Sequence, residues 1–392
     1  MNLSARAAAY KPTLYKHLHR FAWLAVALTL CVVVFGAFVR LSDAGLSCPD
    51  WPTCYGRAAW PQAASDVSDH VASAVRPFET HKAWREQLHR HLAASLGMLV
   101  LLLAVLAARK RRYGIAQIAI AALLVAAAIP LYMRGEHVAA SVLAIIGEVI
   151  LLLAALRWSN TDLSRVAALT LAVIIFQALL GMWTVTWLLK PVVVMGHLLG
   201  GLSTFALLTW MAWRAINRPI IVVEAIALKR WVMAGLLLLG VQIALGGWVS
   251  ANYAALSCGA GSWSAANFPK CVGQWWPPHD FGEGFVLWRG VGVDYEGGVL
   301  DGASRIAIQM AHRLFAVVVA LYLLVFGVRL LRTPGMRGWS TALIVLVLMQ
   351  VSLGILNVKL ALPLHVAVAH NAGAALLLFV LVSLLARLRR PE

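Results

Sequence analysis

Four histidines, His89, His197, His312 and His370, lie near the same ends of long apolar segments, two in each half of a 392-residue chain. An imidazole at membrane depth is costly to desolvate and is rarely left without a partner. Four of them in two matching pairs have the chemistry of axial ligands, each pair gripping one heme iron between helices. Zinc fits less well, because no Cys, Asp or third His stands at ligand spacing within these segments. Small residues flank the later histidine of each pair: Gly196, Gly200 and Gly201, then Ala369, Ala372 and Gly373. They leave room for a large flat ligand or for close helix packing.

Two further residue types sit beside the histidines. Glu86 precedes His89 by three residues, on the same helical face, where a carboxyl could act as a base or stabilise positive charge. The bland reading is a carboxylate anchored at the interface. The matching position in the second half is Gln309, which can do neither. Arg90 and Arg313 directly follow His89 and His312, and either could pair with heme propionates or snorkel to the interface. Glu148 is mid-span without an evident partner, and protonation or a helix–helix hydrogen bond is the simpler reading. His365 has no counterpart in the first half and is not read as a ligand. His17, His19, His70, His81, His91, His137 and His279 read as interfacial or loop residues.

The elements that must hold these groups are membrane spans. Hydrophobic residues make up 61% of the chain and charged residues only 12%, with a mean hydropathy of +0.81. A soluble domain carries about 25% charged residues. Ten apolar stretches are long enough to cross a bilayer. They run from about Phe21 to Leu41, Leu88 to Ala108, Ile115 to Met133, Val138 to Leu156, Val166 to Leu188, Val192 to Trp213 and Trp231 to Val249. The last three run from Ile306 to Leu331, Trp339 to Leu360 and Leu364 to Leu385. The fold class is therefore an all-α polytopic membrane bundle. Its first segment is too long for a signal peptide's apolar region.

The net charge of +17 reports topology, not a nucleic-acid partner. Basic residues cluster at Lys11, Lys16 and Arg20, at Arg109 to Arg112, at Arg157 and Arg165, and at Arg214, Arg218, Lys229 and Arg230. Further clusters are Arg329, Arg332 and Arg337, and finally Arg387, Arg389 and Arg390. Ten spans from a cytoplasmic N-terminus put all of these inside and return the C-terminus to the cytoplasm. The outer loops carry Asp43, Asp50, Asp66, Asp69, Asp280, Asp294 and Glu296. They also carry Cys48 with Cys54 and Cys258 with Cys271, on the oxidising side where disulfides persist. Each pair is expected to form a bridge that braces its loop. A redox relay through Cys48 and Cys54 is the alternative. Cys31 reads as a small apolar core residue.

The chain is also duplicated. Gly36-Ala-Phe-Val39, Ala44-Gly-Leu-Ser-Cys48, Asp50-Trp-Pro-Thr-Cys54 and Trp60-Pro61 recur as Gly246-Gly-Trp-Val249, Ala254-Ala-Leu-Ser-Cys258, Asn267-Phe-Pro-Lys-Cys271 and Trp276-Pro277. His89-Arg90 recurs as His312-Arg313, and Gln177-x3-Gly181-x3-Val185 as Gln350-x3-Gly354-x3-Val358. Pro191 stands upstream of His197 as Pro363 does of His370. His89 and His197 are 108 residues apart and His312 and His370 only 58, a difference of 50. That is close to the third and fourth apolar segments with their turns. The architecture is thus two tandem four-helix repeats, residues 1–213 and 214–392, with an extra transmembrane hairpin at about 113–159 in the first.

With these residues assembled, the chain resembles the heme A synthase family of integral membrane proteins. The likeness is carried by Arg40-Leu-Ser-Asp-Ala-Gly-Leu-Ser-Cys-Pro-Asp-Trp-Pro-Thr-Cys54, by Trp84-Arg-Glu-Gln-Leu-His-Arg90 and by Leu179-Leu-Gly-Met-Trp-Thr-Val185. It continues through Lys190-Pro191 to His197-Leu-Leu-Gly200, Asp294-Tyr-Glu-Gly-Gly298, His312-Arg313, and Pro363 to His370. It leaves out the hairpin, which the family's usual eight-helix plan lacks. The resemblance implies oxidation of a heme O ring methyl to the formyl of heme A, by successive hydroxylations, for terminal oxidases. It implies that His89 and His197 hold the substrate heme beside Glu86, and that His312 and His370 hold a heme b cofactor that passes electrons. It also implies a bacterial inner membrane with the cysteine loops in the periplasm. Membrane lipid, a heme O synthase, terminal-oxidase assembly partners, an electron donor and further copies of the chain are the partners to expect. A non-catalytic diheme b cytochrome, or a heme carrier or oxidase assembly factor, is the competing reading.

Overall fold

A computed structural model describes residues 17–67, 77–259, 261 and 263–391. Lys11, Lys16, Asp69 and His70 lie outside the described residues. Ten long apolar helices carry the chain across a membrane: α1 (Leu18–Leu41), α2 (Thr80–Ala108), α3 (Gly114–Met133), α4 (His137–Arg157), α5 (Ser164–Thr186), α6 (Pro191–Ile216), α7 (Ala225–Ala251), α9 (Gly302–Leu331), α10 (Arg337–Lys359) and α11 (Leu364–Arg387). A short outer helix, α8 (Phe281–Gly284), lies between α7 and α9. In lipid each backbone amide must bond within its own segment, which is why these runs are helical from end to end. Paired two-residue strands, Ile220–Ile221 and Leu388–Arg389, tie the α6–α7 turn to the C-terminal end.

Two bundles result. Helices α1, α2, α5 and α6 pack around one centre, and α7, α9, α10 and α11 around another. They join along α6 and α11, with α1 against α11 and α6 against α7, so the first and last helices of each half exchange neighbours. The halves also repeat in backbone detail. Leu188 and Leu189 precede α6 in the left-handed region, as Ala361 and Leu362 do before α11, and Asp43 and Tyr253 follow α1 and α7 in the same way. The extra hairpin, α3 and α4, packs on the outside of α2 and α5. Its large apolar side chains, among them Ile120, Leu123, Ile145 and Leu156, are exposed, as a lipid-facing surface requires.

The basic ends of the helices gather on one side. Arg111 Nη2 sits 2.8 Å from Asp162 Oδ1, joining the α2–α3 and α4–α5 turns, and Arg387 donates to the Arg218 carbonyl, joining the end of α11 to the α6–α7 turn.

Two expectations need correction. Cys31 is exposed on α1 and not in the core, because it falls on the outward face of that helix. Helix α2 begins at Thr80, two turns before its apolar run, because the polar stretch from Thr80 to Gln87 continues the helix beneath the first cysteine loop.

Candidate heme sites

His89 and His312 stand about 14–15 Å along α2 and α9 from their first residues, taking 1.5 Å per residue, and His197 and His370 about 9 Å along α6 and α11. Within each half the two histidines stand on helices of one bundle, His89 with His197 and His312 with His370. All four are only half-buried although they lie well inside their bundles, so each borders space that no protein atom fills.

Every one of these imidazoles rests on a glycine of the preceding repeat helix. A Cβ on Gly36 would meet His89 Cε1 at 2.8 Å. On Gly181, Gly246 and Gly354 it would meet Cε1 of His197, His312 and His370 at 3.1 Å. The sequence repeat had shown these glycines but not their purpose, which is to admit an imidazole edge between two helices.

The sequence repeat marked Gln177 and Gln350 but not their role, and it left Gln242 unmarked. One turn before each glycine stand Val32, Gln177, Gln242 and Gln350. Gln177 Nε2 donates to the His197 carbonyl at 2.6 Å and lies 3.2 Å from His197 Nδ1. Gln242 makes the same two contacts with His312, at 3.2 and 3.1 Å. Gln350 donates to the His370 carbonyl at 2.9 Å. Gly200 and Gly373, three residues past their histidines, lie hard against the amides of Gln177 and Gln350, leaving no room there for a Cβ. Such buried amides bonded across helices are a known means of association in lipid. A Gln-x3-Gly spacing repeated in three helices is the signal that could have revealed them.

Glu86 is buried at 4% exposure and fully engaged. Its Oε2 accepts from the Cys48 amide at 2.8 Å and the Ser47 hydroxyl at 3.0 Å, while Oε1 pairs with Arg90 at 2.5 Å. Arg90 in turn donates to the carbonyls of Asp50, Thr53 and Cys48. Arg313 likewise donates to Asn267 and Lys270 in the second cysteine loop. Both arginines are thus directed at loop backbone. Gln309 is buried, and its Oε1 has no partner. Glu148 lies half-buried on α4 with Oε2 likewise unpartnered. His365 is exposed in the first turn of α11.

Cys48 with Cys54, and Cys258 with Cys271, are disulfide-bonded. All four cysteines are buried, so each bridge braces its loop from within. The second half also reaches over the first. The Tyr295 amide donates to the Leu188 carbonyl at 3.0 Å, and its ring is buried beside Leu46, Val185 and Leu189. Lys190, fully buried, places Nζ 3.3 Å from the centroid of Trp288. The Asp294 to Gly298 segment is therefore a cover for the outer end of the first bundle.

The family described as "Cytochrome oxidase assembly protein", COX15-CtaA, matches residues 19–131 and 136–382. The chain belongs to this heme A synthase family. A protein named Heme A synthase from Shewanella oneidensis is 36% identical over 372 residues, 93% of this chain and 96% of the relative. One of the same name from Rhizorhabdus wittichii is 28% identical over 97% of this chain and 96% of its own length. Another, from Caulobacter vibrioides, is 33% identical over 55% of this chain and 60% of its own. The family match runs through the hairpin and breaks only at residues 132–135, the last two residues of α3 and the start of the turn after it, so nearly all of α3 and the whole of α4 lie within the family's matched sequence.

Proposed function

We propose that this protein oxidises heme O to heme A for terminal-oxidase biogenesis. The first half holds heme O between His89 and His197, and the second holds a heme b between His312 and His370. The observation that carries the reading is the set of four glycine-backed histidines, one pair per bundle. A flat, iron-bearing macrocycle fits these residues: the glycines admit each imidazole edge against the neighbouring helix, and the four half-buried rings border space inside the bundles that no protein atom fills. Heme b, when bound, supplies reversible one-electron transfer.

The chain's own residues then have separable tasks. His89 and His197 fix the depth and tilt of the substrate. Glu86, clamped by Cys48, Ser47 and Arg90, holds its carboxylate one turn above His89, where it would favour positive charge developing at the reacting methyl. The Cys48–Cys54 loop and the Asp294 to Gly298 segment exclude water from the outer end. Turning a methyl into a formyl removes four electrons and adds one oxygen atom, so an external redox partner must be served through the second half. The clustering of arginines on one side supports cytoplasmic termini and periplasmic cysteine loops in an inner membrane.

Co-expression with a heme O synthase tests this. The purified protein should contain heme A, and Glu86→Gln should lower heme A while second-half heme b stays bound. Glutamine keeps an acceptor for the Cys48 amide but lacks the charge, so loop opening is separated from loss of the carboxylate. Full heme A formation by Glu86→Gln and Glu86→Ala would remove Glu86 from the mechanism. Protein carrying only heme b under these conditions would favour a diheme cytochrome instead.

A further inference from the structure

A heme carries two propionate carboxylates on one edge, and an arginine fork is the side chain best shaped to receive one. The arginines beside the outer histidines are not free to do so, since Arg90 and Arg313 are bonded to loop carbonyls. Arg40 is engaged by the Ser250 carbonyl and the Tyr253 hydroxyl, and Lys190 is enclosed against Trp288 with no exposed surface. Arg85 is different. Its guanidinium lies over the rings of Phe38 and Trp84, 5.0 and 5.8 Å from their centroids. Its Nε is buried without a partner, the side chain is only half-buried overall, and among the described residues it makes no hydrogen bond or ion pair.

The position of Arg85 ties it to His89. It precedes that histidine by four residues, on the same face of α2 and about 6 Å nearer the outer end. The rings beneath its guanidinium lead on to the imidazole. Phe38 and Trp84 each pack on Phe35, with centroids 5.6 and 6.3 Å apart, and Phe35 lies 6.5 Å from His89. The second half closes the same corner. Ile308 holds the repeat position of Arg85 and Trp248 that of Phe38, and both are buried. Trp248 Nε1 donates to the Gly284 carbonyl of α8 at 2.9 Å, which seals that corner beneath the short outer helix. Among the described residues, a free cation on an aromatic wall beside a histidine is a property of the first half alone.

We propose that Arg85 is a substrate-binding residue that takes a propionate carboxylate of the heme held by His89 and His197, with Phe38 and Trp84 supporting its guanidinium from behind. The pairing fixes the rotation of the macrocycle about the iron axis, and so decides which ring methyl is presented for oxidation. A lipid phosphate is the competing anion, but Arg85 shares its helical face with a histidine that points into the bundle. The second-half heme has no such anchor at this corner. The inference rests on the reading that His89 and His197 hold the substrate heme.

The probes are heme b and its dimethyl ester, in which both carboxylates are blocked. Each is titrated into the purified full chain carrying His312→Ala and His370→Ala, made without a heme O synthase, so that binding reports on the first half. With Arg85 in place the free acid should bind about 10- to 100-fold more tightly than the ester, the range of one charge-assisted contact. Arg85→Gln should bind both forms alike, near the affinity of the unsubstituted site for the ester, and Arg85→Lys should restore part of the preference. Equal binding of acid and ester with Arg85 in place would overturn the proposal, whether or not Arg85→Gln folds. So would an undiminished preference for the acid in Arg85→Gln. Loss of copurifying phosphatidylglycerol from that variant, with the acid preference intact, would assign the cation to a lipid phosphate instead. If adding His89→Ala and His197→Ala leaves the binding of both probes unchanged, the underlying reading of the site falls.

Discussion

Glu86 and Arg90 form a buried ion pair one turn apart on α2, Oε1 to Nη2 at 2.5 Å, and together they hold the backbone of the first cysteine loop at Cys48, Asp50 and Thr53. Removing one partner leaves the other charged and buried, which costs about 3–5 kcal/mol. Arg90→Ala and Glu86→Ala should each lower the thermal stability of the purified protein by that order. The double variant should lose clearly less than the sum of the two. Additive losses would mean that the two side chains act on the loop independently.

The cysteines give a count that can be read by mass. Cys31 is the one free thiol among the described residues, and it is exposed on α1. A membrane-permeant maleimide should add one label to protein isolated without reductant, and five after unfolding and reduction. Three labels on the folded protein would show that one outer bridge is open, as a redox relay would require.

Much of this was legible in the sequence, for a physical reason. Hydropathy marks the spans because lipid tolerates few charges, and duplication marks His89, His197, His312 and His370 because the two halves solve the same packing problem. What the helices do to one another was less visible. Arg90 and Arg313 could be read as propionate partners, since nothing local shows that the loops after α1 and α7 fold back over them. Glu86 stood out by its type, but its contacts with Cys48 and Ser47 span nearly 40 positions and come only with the fold. Gln242 went unnoticed because its role depends on a histidine 70 residues away.

The glycine cradles separate the two sites. A side chain on Gly354 would push into His370, and one on Gly181 into His197. Gly354→Val should therefore strip the second-half heme and spare the first, and Gly181→Val should do the opposite. Absorption spectra of the two variants should lose complementary components. Retention of both hemes in both variants would show that the imidazoles can move aside.

On the basic side, burial raises the Asp162 carboxyl, but hydrogen bonds from Arg111 and Ser164 outweigh it and hold the group below the usual 3.8. Folding thus favours the charged form. The stabilisation is present above the ordinary carboxylate range and is lost as pH falls through the lowered folded value. Asp162→Asn should be less stable than the parent at pH 7 and should converge with it under acid. A constant gap between the two down to pH 2 would contradict the linkage.

Heme content per histidine pair tests the central claim most directly. Purified parent protein, co-expressed with a heme O synthase, should carry two hemes of different type. The His312→Ala, His370→Ala variant should lose heme b and keep the substrate-type heme, and the His89→Ala, His197→Ala variant should lose the substrate-type heme and keep heme b. If either double variant retains both hemes, or if the parent binds a single type at both pairs, the division of the two bundles into a substrate half and an electron-transfer half is wrong.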